Sequence, residues 1–359
     1  MTERIRFFLP GPSYVGIDAR EAMTAPSMGH RGPDFKALYS SVQAPLQRVM
    51  RTAGDVLLAS GSATLVMESA VVSTVSGSIL HCTGGAFAER WLTISQTHGL
   101  DADELSTPWG EATDPDALRE ALRGKQYDAV AITHNETSTG VLNPLAELAA
   151  VVREKSDALI LVDCVSSLGG APVENDDWGL DIALAGTQKA LAAPPGLVAF
   201  TLSERARRQA ETKSARGFYT DLLRYQRSHE KLGTITTPPI PILYALDRQL
   251  ANIEAEGLEA RWQRHDALRA QTETWAQERG YTYASTPDHG SPTVSCLRPP
   301  ESIDAPTLVK ALAGRGITVG GGYGRWKPET FRIGHMGEVQ AGDLHALFAD
   351  IDELVRELS

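Results

Sequence analysis

Short apolar runs alternate with amphipathic helical segments from about residue 55 to residue 205, and this alternation constrains the fold more than any other feature. The runs lie at residues 56–59, 78–80, 127–133, 158–162, 182–185 and 197–202. Buried strands that are each followed by a helix predict a mostly parallel sheet covered by helices on both faces. Because such sheets bind their ligands at the carboxyl ends of the strands, we expect functional residues there.

The pattern changes after about residue 245, where a long helix runs toward Gly280 and is interrupted near Gly257. Strands near residues 293–297, 317–319 and 331–333 then mix with helices. A chain of 359 residues exceeds the ~250–300 residues at which one hydrophobic core stops growing. We therefore predict a segment over residues 1–20, a large domain over 21–245 and a smaller α/β domain over 246–359.

Composition excludes several classes of protein. The net charge of -11 argues against a nucleic-acid surface. The three cysteines, Cys82, Cys164 and Cys296, are far apart and form no CxxC pair, so neither a disulfide framework nor a metal site is predicted. No apolar run approaches the ~18 residues that would cross a membrane, and we expect a cytoplasmic protein without membrane contact.

Two charged residues stand where this fold would place chemistry. Asp163 ends the apolar run 158–162, where a buried carboxylate requires a partner such as a protonated pyridine nitrogen; it could equally cap the following turn. Lys189 follows another strand among small and apolar residues. A sheltered lysine can have a lowered pKa and form a Schiff base, whereas an ordinary loop lysine extends to solvent.

A third candidate is the segment SGSAT at residues 60–64, which follows a strand and opens a helix. Free N–H groups at a helix start bind phosphate, and the hydroxyl groups add donors. The segment lacks the Walker spacing, so a nucleotide is not implied. The alternative interpretation is an ordinary Ser/Thr helix cap.

Taken together, these motifs resemble the class V aminotransferases, which include alanine–glyoxylate, serine–glyoxylate and serine–pyruvate enzymes. The resemblance rests on LVDCVSSLGG at residues 161–170, GTQKAL at 186–191, HNETSTG at 134–140, FRIG at 331–334 and PGP at 10–12. It covers nearly the whole chain. It implies the aspartate-aminotransferase-like fold (fold type I), with a mostly parallel seven-stranded sheet, a small C-terminal α/β domain and pyridoxal 5'-phosphate as cofactor.

The resemblance also implies the cofactor contacts. Lys189 would hold the cofactor as a Schiff base and move the substrate proton, and Asp163 would pair with the ring nitrogen. The other implied contacts are Ser62, Ala63, Thr64 and Gln188 at the phosphate, Phe87 and Val165 on the two ring faces, and Thr137 at the phenolic oxygen. Many relatives carry tryptophan where Phe87 stands.

Substrate and partner contacts follow from the same resemblance. Arg332 would hold the substrate carboxylate through a bidentate guanidinium pair, and Gly11, in a segment that crosses the mouth of the site, would offer backbone groups. His30 and Arg31 could bind a second anion, although structural ion pairs are an equal alternative. Thr234 and Thr237 would complete the phosphate site of a neighbouring subunit, which implies a homodimer with shared active sites.

The predicted reaction is transamination between a small L-amino acid, alanine or serine, and a 2-oxo acid such as glyoxylate or pyruvate. A phosphoserine aminotransferase that uses 2-oxoglutarate is the alternative. A class V lyase or desulfurase is disfavoured because the late loop at residues 320–324 contains no cysteine. A non-catalytic protein on this scaffold is disfavoured because Lys189, Asp163 and Arg332 are all present.

Overall fold

The strands are given by a computed structural model that describes residues 5–358. They are β1 (Phe7–Phe8), β2 (Val56–Ser60), β3 (Ser78–Thr83), β4 (Asp101–Ser106), β5 (Ala129–Thr133), β6 (Asn135–Glu136), β7 (Val141–Leu142), β8 (Leu159–Asp163), β9 (Ile182–Gly186), β10 (Leu197–Thr201), β11 (Thr282–Tyr283), β12 (Val294–Arg298), β13 (Thr318–Gly321) and β14 (Phe331–Gly334).

The helices connect these strands and cover the sheets. They are α1 (Ile17–Ala22), α2 (Pro33–Ser41), α3 (Gln43–Met50), α4 (Ala63–Thr74), α5 (Ala86–Thr97), α6 (Pro115–Ala121), α7 (Leu145–Lys155), α8 (Glu204–Glu211), α9 (Leu222–His229), α10 (Ile240–Glu256), α11 (Leu258–Glu278), α12 (Ala305–Gly314) and α13 (Ala341–Leu358).

The large sheet has seven strands in the order β2-β10-β9-β8-β5-β3-β4, and only β10 runs antiparallel to its neighbours. The predicted, mostly parallel sheet is therefore confirmed. The sequence did not indicate β4, because this edge strand reads Asp-Ala-Asp-Glu-Leu-Ser and is largely exposed. An edge strand can carry charged side chains that a central strand cannot.

Both faces of the sheet are buried, as β8 shows. Leu159 and Leu161 pack in the cluster beneath α4, whereas Ile160 and Val162 pack in the cluster on the opposite face. Since alternate side chains of a strand point to opposite faces, a strand between two helix layers must be apolar throughout. Burying each of these side chains stabilises the fold by about 1.5–3 kcal/mol.

The smaller sheet has five strands in the order β1-β13-β14-β12-β11. Its first strand comes from the start of the chain, where Phe7 pairs with Thr318 and Phe8 with Val319. The N-terminal segment therefore crosses from the small domain to the large one at residues 9–13. This crossing brings Pro10 and Gly11 to the ends of the large-sheet strands.

The break between the two long helices separates two hydrophobic cores. Leu246, Leu250 and Ile253 of α10 are buried with the large sheet, whereas Leu268 and Trp275 of α11 are buried with the small one. The predicted interruption near Gly257 is confirmed, since Gly257 lies between the two helices. We propose that the domain boundary lies there rather than near residue 245.

None of the helices described over residues 5–358 is long and apolar enough to span a membrane.

Candidate active site

The candidate residues meet at the carboxyl ends of the central strands. Asp163 is the last residue of β8 and is aligned with Thr133 at the end of β5 and with Leu184 on β9. Lys189 lies three residues beyond Gly186, the end of β9. The parallel register therefore delivers the acid and the amine to one edge of the sheet, as the sequence pattern predicted.

Lys189 is sheltered from solvent. The residue is 8% exposed, and its Nζ donates a hydrogen bond of 2.5 Å to the carbonyl oxygen of Pro10. Burial lowers the pKa of Lys189 to about 8; the charge of Arg332 lowers it further and the charge of Asp163 opposes the shift. A substantial fraction of this amine is neutral near pH 8, as a nucleophile and proton carrier requires.

The N-terminal segment is fastened over this lysine. Ser13 donates from its backbone to the carbonyl of Gln188 at 2.9 Å and from its hydroxyl to the carbonyl of Lys189 at 2.7 Å. Gly11 has a φ of 125°, and a Cβ there would lie 2.4 Å from Cε of Lys189. Only glycine allows the backbone to pass so close to the amine.

Asp163 is a buried acid with a single described hydrogen-bond donor. Its Oδ1 accepts from the backbone N–H of Val165 at 2.8 Å, and the residue is 5% exposed. Burial raises the pKa of Asp163 to about 7, and the charge of Lys189 opposes this rise. No cation of residues 5–358 forms an ion pair with it, so a protonated ring nitrogen would supply the missing partner.

Arg332 extends from β14 toward the large domain. Its Nε donates to the carbonyl of Gly321 at 2.9 Å and its Nη1 to the carbonyl of Thr137 at 3.2 Å. Its neighbours Phe331 and Ile333 are buried in the small-domain core, which confirms that Arg332 points the other way. Over the described range, no carboxylate forms an ion pair with this 9% exposed residue, which is therefore suited to an anionic ligand.

An aromatic and cationic cluster that the sequence did not reveal lies beside these groups. Phe87 and Tyr323 stack with ring centroids 5.3 Å apart, and Nζ of Lys189 is 5.8 Å from the Phe87 centroid. Arg90 lies 4.9 Å from the Phe87 centroid and donates to the Tyr323 hydroxyl at 3.1 Å. Arg332 lies 5.3 Å from the Tyr323 centroid, so the two guanidinium groups contact the same tyrosine.

The start of α4 has the features of a phosphate site. Ser62 is the N-cap residue, but its side chain makes no capping hydrogen bond, and Ala63 and Thr64 form the first turn. The Ser60 hydroxyl is buried without a hydrogen-bond partner over residues 5–358. The Gln188 side chain lies beside Gly186 at the end of β9, where an added Cβ would be 2.5 Å from its Oε1. These groups leave donors for an anion.

A polar network holds Thr137 beside β8. Its hydroxyl donates to the Ser166 hydroxyl at 2.7 Å, and Ser166 donates to the carbonyl of Asn135 at 2.8 Å. All three residues are buried. Thr137 thus reaches the site from the β6–β7 hairpin, while Val165 is half-buried next to Asp163. The observed positions suit the contacts that the sequence implied for Thr137 and Val165.

The structure does not bring His30 and Arg31 to the Lys189 cluster within one chain. They line a separate cavity of about 280 Å³ with Lys36, Lys231 and residues 233–236, which include Thr234. The Thr234 hydroxyl donates to the carbonyl of Thr236 at 2.6 Å, and Thr237 is exposed. No hydrogen bond described over residues 5–358 joins any of these four residues to Lys189, Asp163 or Arg332.

Comparison with known proteins identifies a matching family. The family model described as Aminotransferase class-V matches residues 28–342. The L-aspartate–glyoxylate aminotransferase of Paracoccus denitrificans is 33% identical over 94% of this chain and 88% of its own length. A protein called soluble hydrogenase, small subunit, from Synechococcus sp. is 32% identical over 100% of this chain and 94% of its own.

A solved structure extends this agreement to three dimensions. The crystal structure of alanine–glyoxylate aminotransferase from Nostoc sp. superposes with a TM-score of 0.92 at 30% sequence identity. The match covers 99% of this chain and 96% of that chain. Both domains and the crossing N-terminal segment therefore have counterparts in one experimentally determined fold.

Proposed function

The chain belongs to the class V aminotransferase family, whose enzymes depend on pyridoxal 5'-phosphate, and we propose that it transfers an amino group from a small L-amino acid to a 2-oxo acid. The proposed donors are alanine and serine, and the proposed acceptors are glyoxylate and pyruvate. One observation carries the proposal: a buried amine with a lowered pKa, Lys189, shares its site with a buried acid and an unpaired guanidinium, Asp163 and Arg332.

Each residue of the site has a proposed role in the reaction. Bound pyridoxal phosphate supplies the ring that takes up electrons during the reaction. Asp163 would pair with the protonated ring nitrogen, and Nζ of Lys189 would hold the cofactor aldehyde and carry the substrate α-proton. Arg332 binds the substrate carboxylate. Gly11 and the Pro10 carbonyl cover the amine and limit its contact with water.

The proposed cofactor cradle uses both sides of the cleft. Ser62, Ala63, Thr64 and Gln188 bind the phosphate, Phe87 and Val165 lie on the two ring faces, and Thr137 approaches the phenolic oxygen. We propose that a second copy of the chain brings Thr234 and Thr237 to this phosphate, so that the enzyme is a homodimer. His30 and Arg31 would arrive from the same partner, because they share a cavity with Thr234. A cytoplasmic location stays a prediction.

Glyoxylate is the best-supported acceptor, because it is named in both the L-aspartate–glyoxylate and the alanine–glyoxylate aminotransferase that resemble this chain. A desulfurase reaction has less support. Burial raises the pKa of Cys296 to about 11 and that of Cys82 to about 12, and Cys164 is buried as well. These thiols are not ionised at neutral pH, and a nucleophilic cysteine must be.

A specific observation favours aspartate as a second candidate donor. Arg90 forms no ion pair with any carboxylate of residues 5–358, and it is joined to the Arg332 side of the cleft through Tyr323. A dicarboxylate could place one carboxylate at each guanidinium. For phosphoserine, the predicted second-anion residues His30 and Arg31 lie in the other cavity, and this alternative therefore depends on the dimer.

A half-reaction screen tests the proposal. Alanine, serine, phosphoserine and aspartate are added singly to the purified, cofactor-loaded protein, and the absorbance of the bound cofactor is recorded. We expect alanine or serine to convert the cofactor to its amine form, and glyoxylate to restore it. Conversion by aspartate alone would establish the second candidate. A bound cofactor that none of the four amino acids converts would contradict the proposed transamination.

A further inference from the structure

Glu136 is a fully enclosed acid in the motif HNETSTG, and no function has yet been assigned to it. It is 2% exposed and belongs to β6. One carboxylate oxygen accepts from the backbone N–H groups of Phe87 and Ala88, each at 3.1 Å. The other accepts from the backbone and hydroxyl of Ser138 at 3.0 and 2.6 Å. Burial raises the pKa of Glu136, and these four donors oppose that rise by stabilising the carboxylate.

The first two of these donors belong to the first turn of α5. The Ser138 hydroxyl also accepts from the N–H of Ala86 at 3.0 Å, so the motif occupies the amides of residues 86, 87 and 88. The amides at a helix start carry partial positive charge and attract anions. At α5 an anion from within the chain already fills that position. At α4 the N-cap side chain makes no such bond.

Gly85 allows this contact. A Cβ at Gly85 would lie 2.3 Å from Cγ of Glu136 and 2.8 Å from the Ser138 hydroxyl oxygen. Its φ of 175° is ordinary extended backbone, so space rather than conformation requires glycine. At neighbouring Gly84, an added Cβ would meet its nearest atoms at 3.6 Å, which is normal contact. The two glycines therefore form a matched pair for testing the contact.

We infer that Glu136 is a positioning residue that serves as a built-in anion for α5. By fixing the first turn of this helix, it holds the Phe87 ring toward Lys189, where the ring can stack on the cofactor. Because Glu136 already occupies the N-terminus of α5, the cofactor phosphate binds at the N-terminus of α4 instead. The inference rests on the proposed roles of Phe87 and of residues 62–64.

The location of Glu136 also gives it an electrostatic influence on the reacting groups. Its negative charge raises the pKa of Asp163 and opposes the lowering of the pKa of Lys189. The same carboxylate therefore positions the Phe87 ring through hydrogen bonds, and its charge changes the pKa values of Asp163 and Lys189. A neutral replacement of similar shape, Glu136→Gln, removes the charge and two acceptor positions while keeping the volume.

The test compares Gly85→Ala and Glu136→Gln with wild type and with the control Gly84→Ala. Each full-length protein is stripped of cofactor and titrated with pyridoxal phosphate, and visible circular dichroism at saturation reports the orientation of the bound ring. For the first two variants we expect about tenfold weaker binding, since an anion–helix contact or a charged hydrogen bond is lost, together with a reduced dichroic band. Gly84→Ala should match wild type.

Three results would overturn the inference. Wild-type affinity and dichroism in both variants would show that Glu136 does not position the ring. A lowered unfolding temperature with unchanged affinity and dichroism would reduce Glu136 to a structural role. Equal losses in Gly84→Ala would show that the contact is not specific. A wild-type protein that binds no pyridoxal phosphate would instead contradict the proposed function, so the two failures are distinguishable.

Discussion

Replacing Asp163 with asparagine should make the cofactor-free protein more stable and the enzyme less active. Asparagine keeps the shape and an oxygen for the Val165 N–H, but it has no charge to bury. In wild type, burial raises the pKa of Asp163 from 3.8 to about 7. Each tenfold change in proton affinity corresponds to 1.36 kcal/mol, so holding this carboxylate ionised in the folded state costs about 4 kcal/mol.

The sign of the effect depends on pH. Because the folded protein binds this proton more tightly than the unfolded chain, wild type loses stability relative to the variant as pH rises from 3.8 to about 7. The advantage of Asp163→Asn should be about 1.5 kcal/mol near pH 5 and about 4 kcal/mol near pH 8. The pKa of about 7 already includes the attraction of Lys189, so neither figure needs a further subtraction.

Urea unfolding of the two cofactor-free proteins near pH 5 and near pH 8 measures this difference. In the loaded enzyme the effect should reverse, because the ring nitrogen loses its acid, and the half-reaction should slow on the order of 10²-fold. The exposed variant Asp177→Asn is a control for removing an acid without burial. If the difference in unfolding free energy between wild type and Asp163→Asn is the same at both pH values, burial does not raise the pKa of Asp163 as described above.

Three further changes test individual roles. Arg332→Ala should raise KM for every amino acid about tenfold or more, because the substrate carboxylate loses a charged pair. The control is Arg325→Ala, which removes a guanidinium that lies over Trp109 and should leave KM unchanged. An equal rise in KM in both variants would contradict carboxylate binding by Arg332. Lys189→Ala should abolish the half-reaction and the borohydride fixation of the cofactor to the protein. Fixation to another lysine would contradict the role of Lys189 as the Schiff-base residue. Arg90→Gln should slow the aspartate half-reaction about tenfold and that of alanine less than threefold; equal slowing would exclude a second carboxylate site.

The large domain could be predicted because its buried strands are short apolar runs that recur along the chain and are each recognisable from local sequence. The run 158–162 predicted a strand, and β8 covers Leu159–Asp163, because a central parallel strand must be apolar on both faces. The same logic could not find β4, whose acidic side chains face solvent at the sheet edge. It also could not reveal that Phe7 pairs with Thr318, since nothing local indicates a partner that distant in sequence.

The candidate site was predictable where a residue type conflicts with its surroundings. Asp163 and Lys189 stood out because a charged residue after an apolar strand needs a functional or structural explanation. Only the resemblance to class V aminotransferases then assigned them roles. Tyr323 and Arg90 were missed because their importance comes from contact across the domain interface, at 3.1 Å between guanidinium and hydroxyl. The separate cavity of His30 and Arg31 likewise depends on how the loop at residues 233–236 packs, which spacing along the chain does not determine.

The chain contains a cleft whose key groups are incomplete without a ligand. Among residues 5–358, Asp163 forms no ion pair with a cation, the Lys189 amine bonds only to the carbonyl of Pro10, and Arg332 donates only to carbonyls. Glu136 is equally buried, but its four donors all come from the protein. Since an uncompensated buried charge is destabilising, we expect cofactor and substrate to complete the first three groups, whereas the donors of Glu136 lie within the protein and the first turn of α5 supplies two of them.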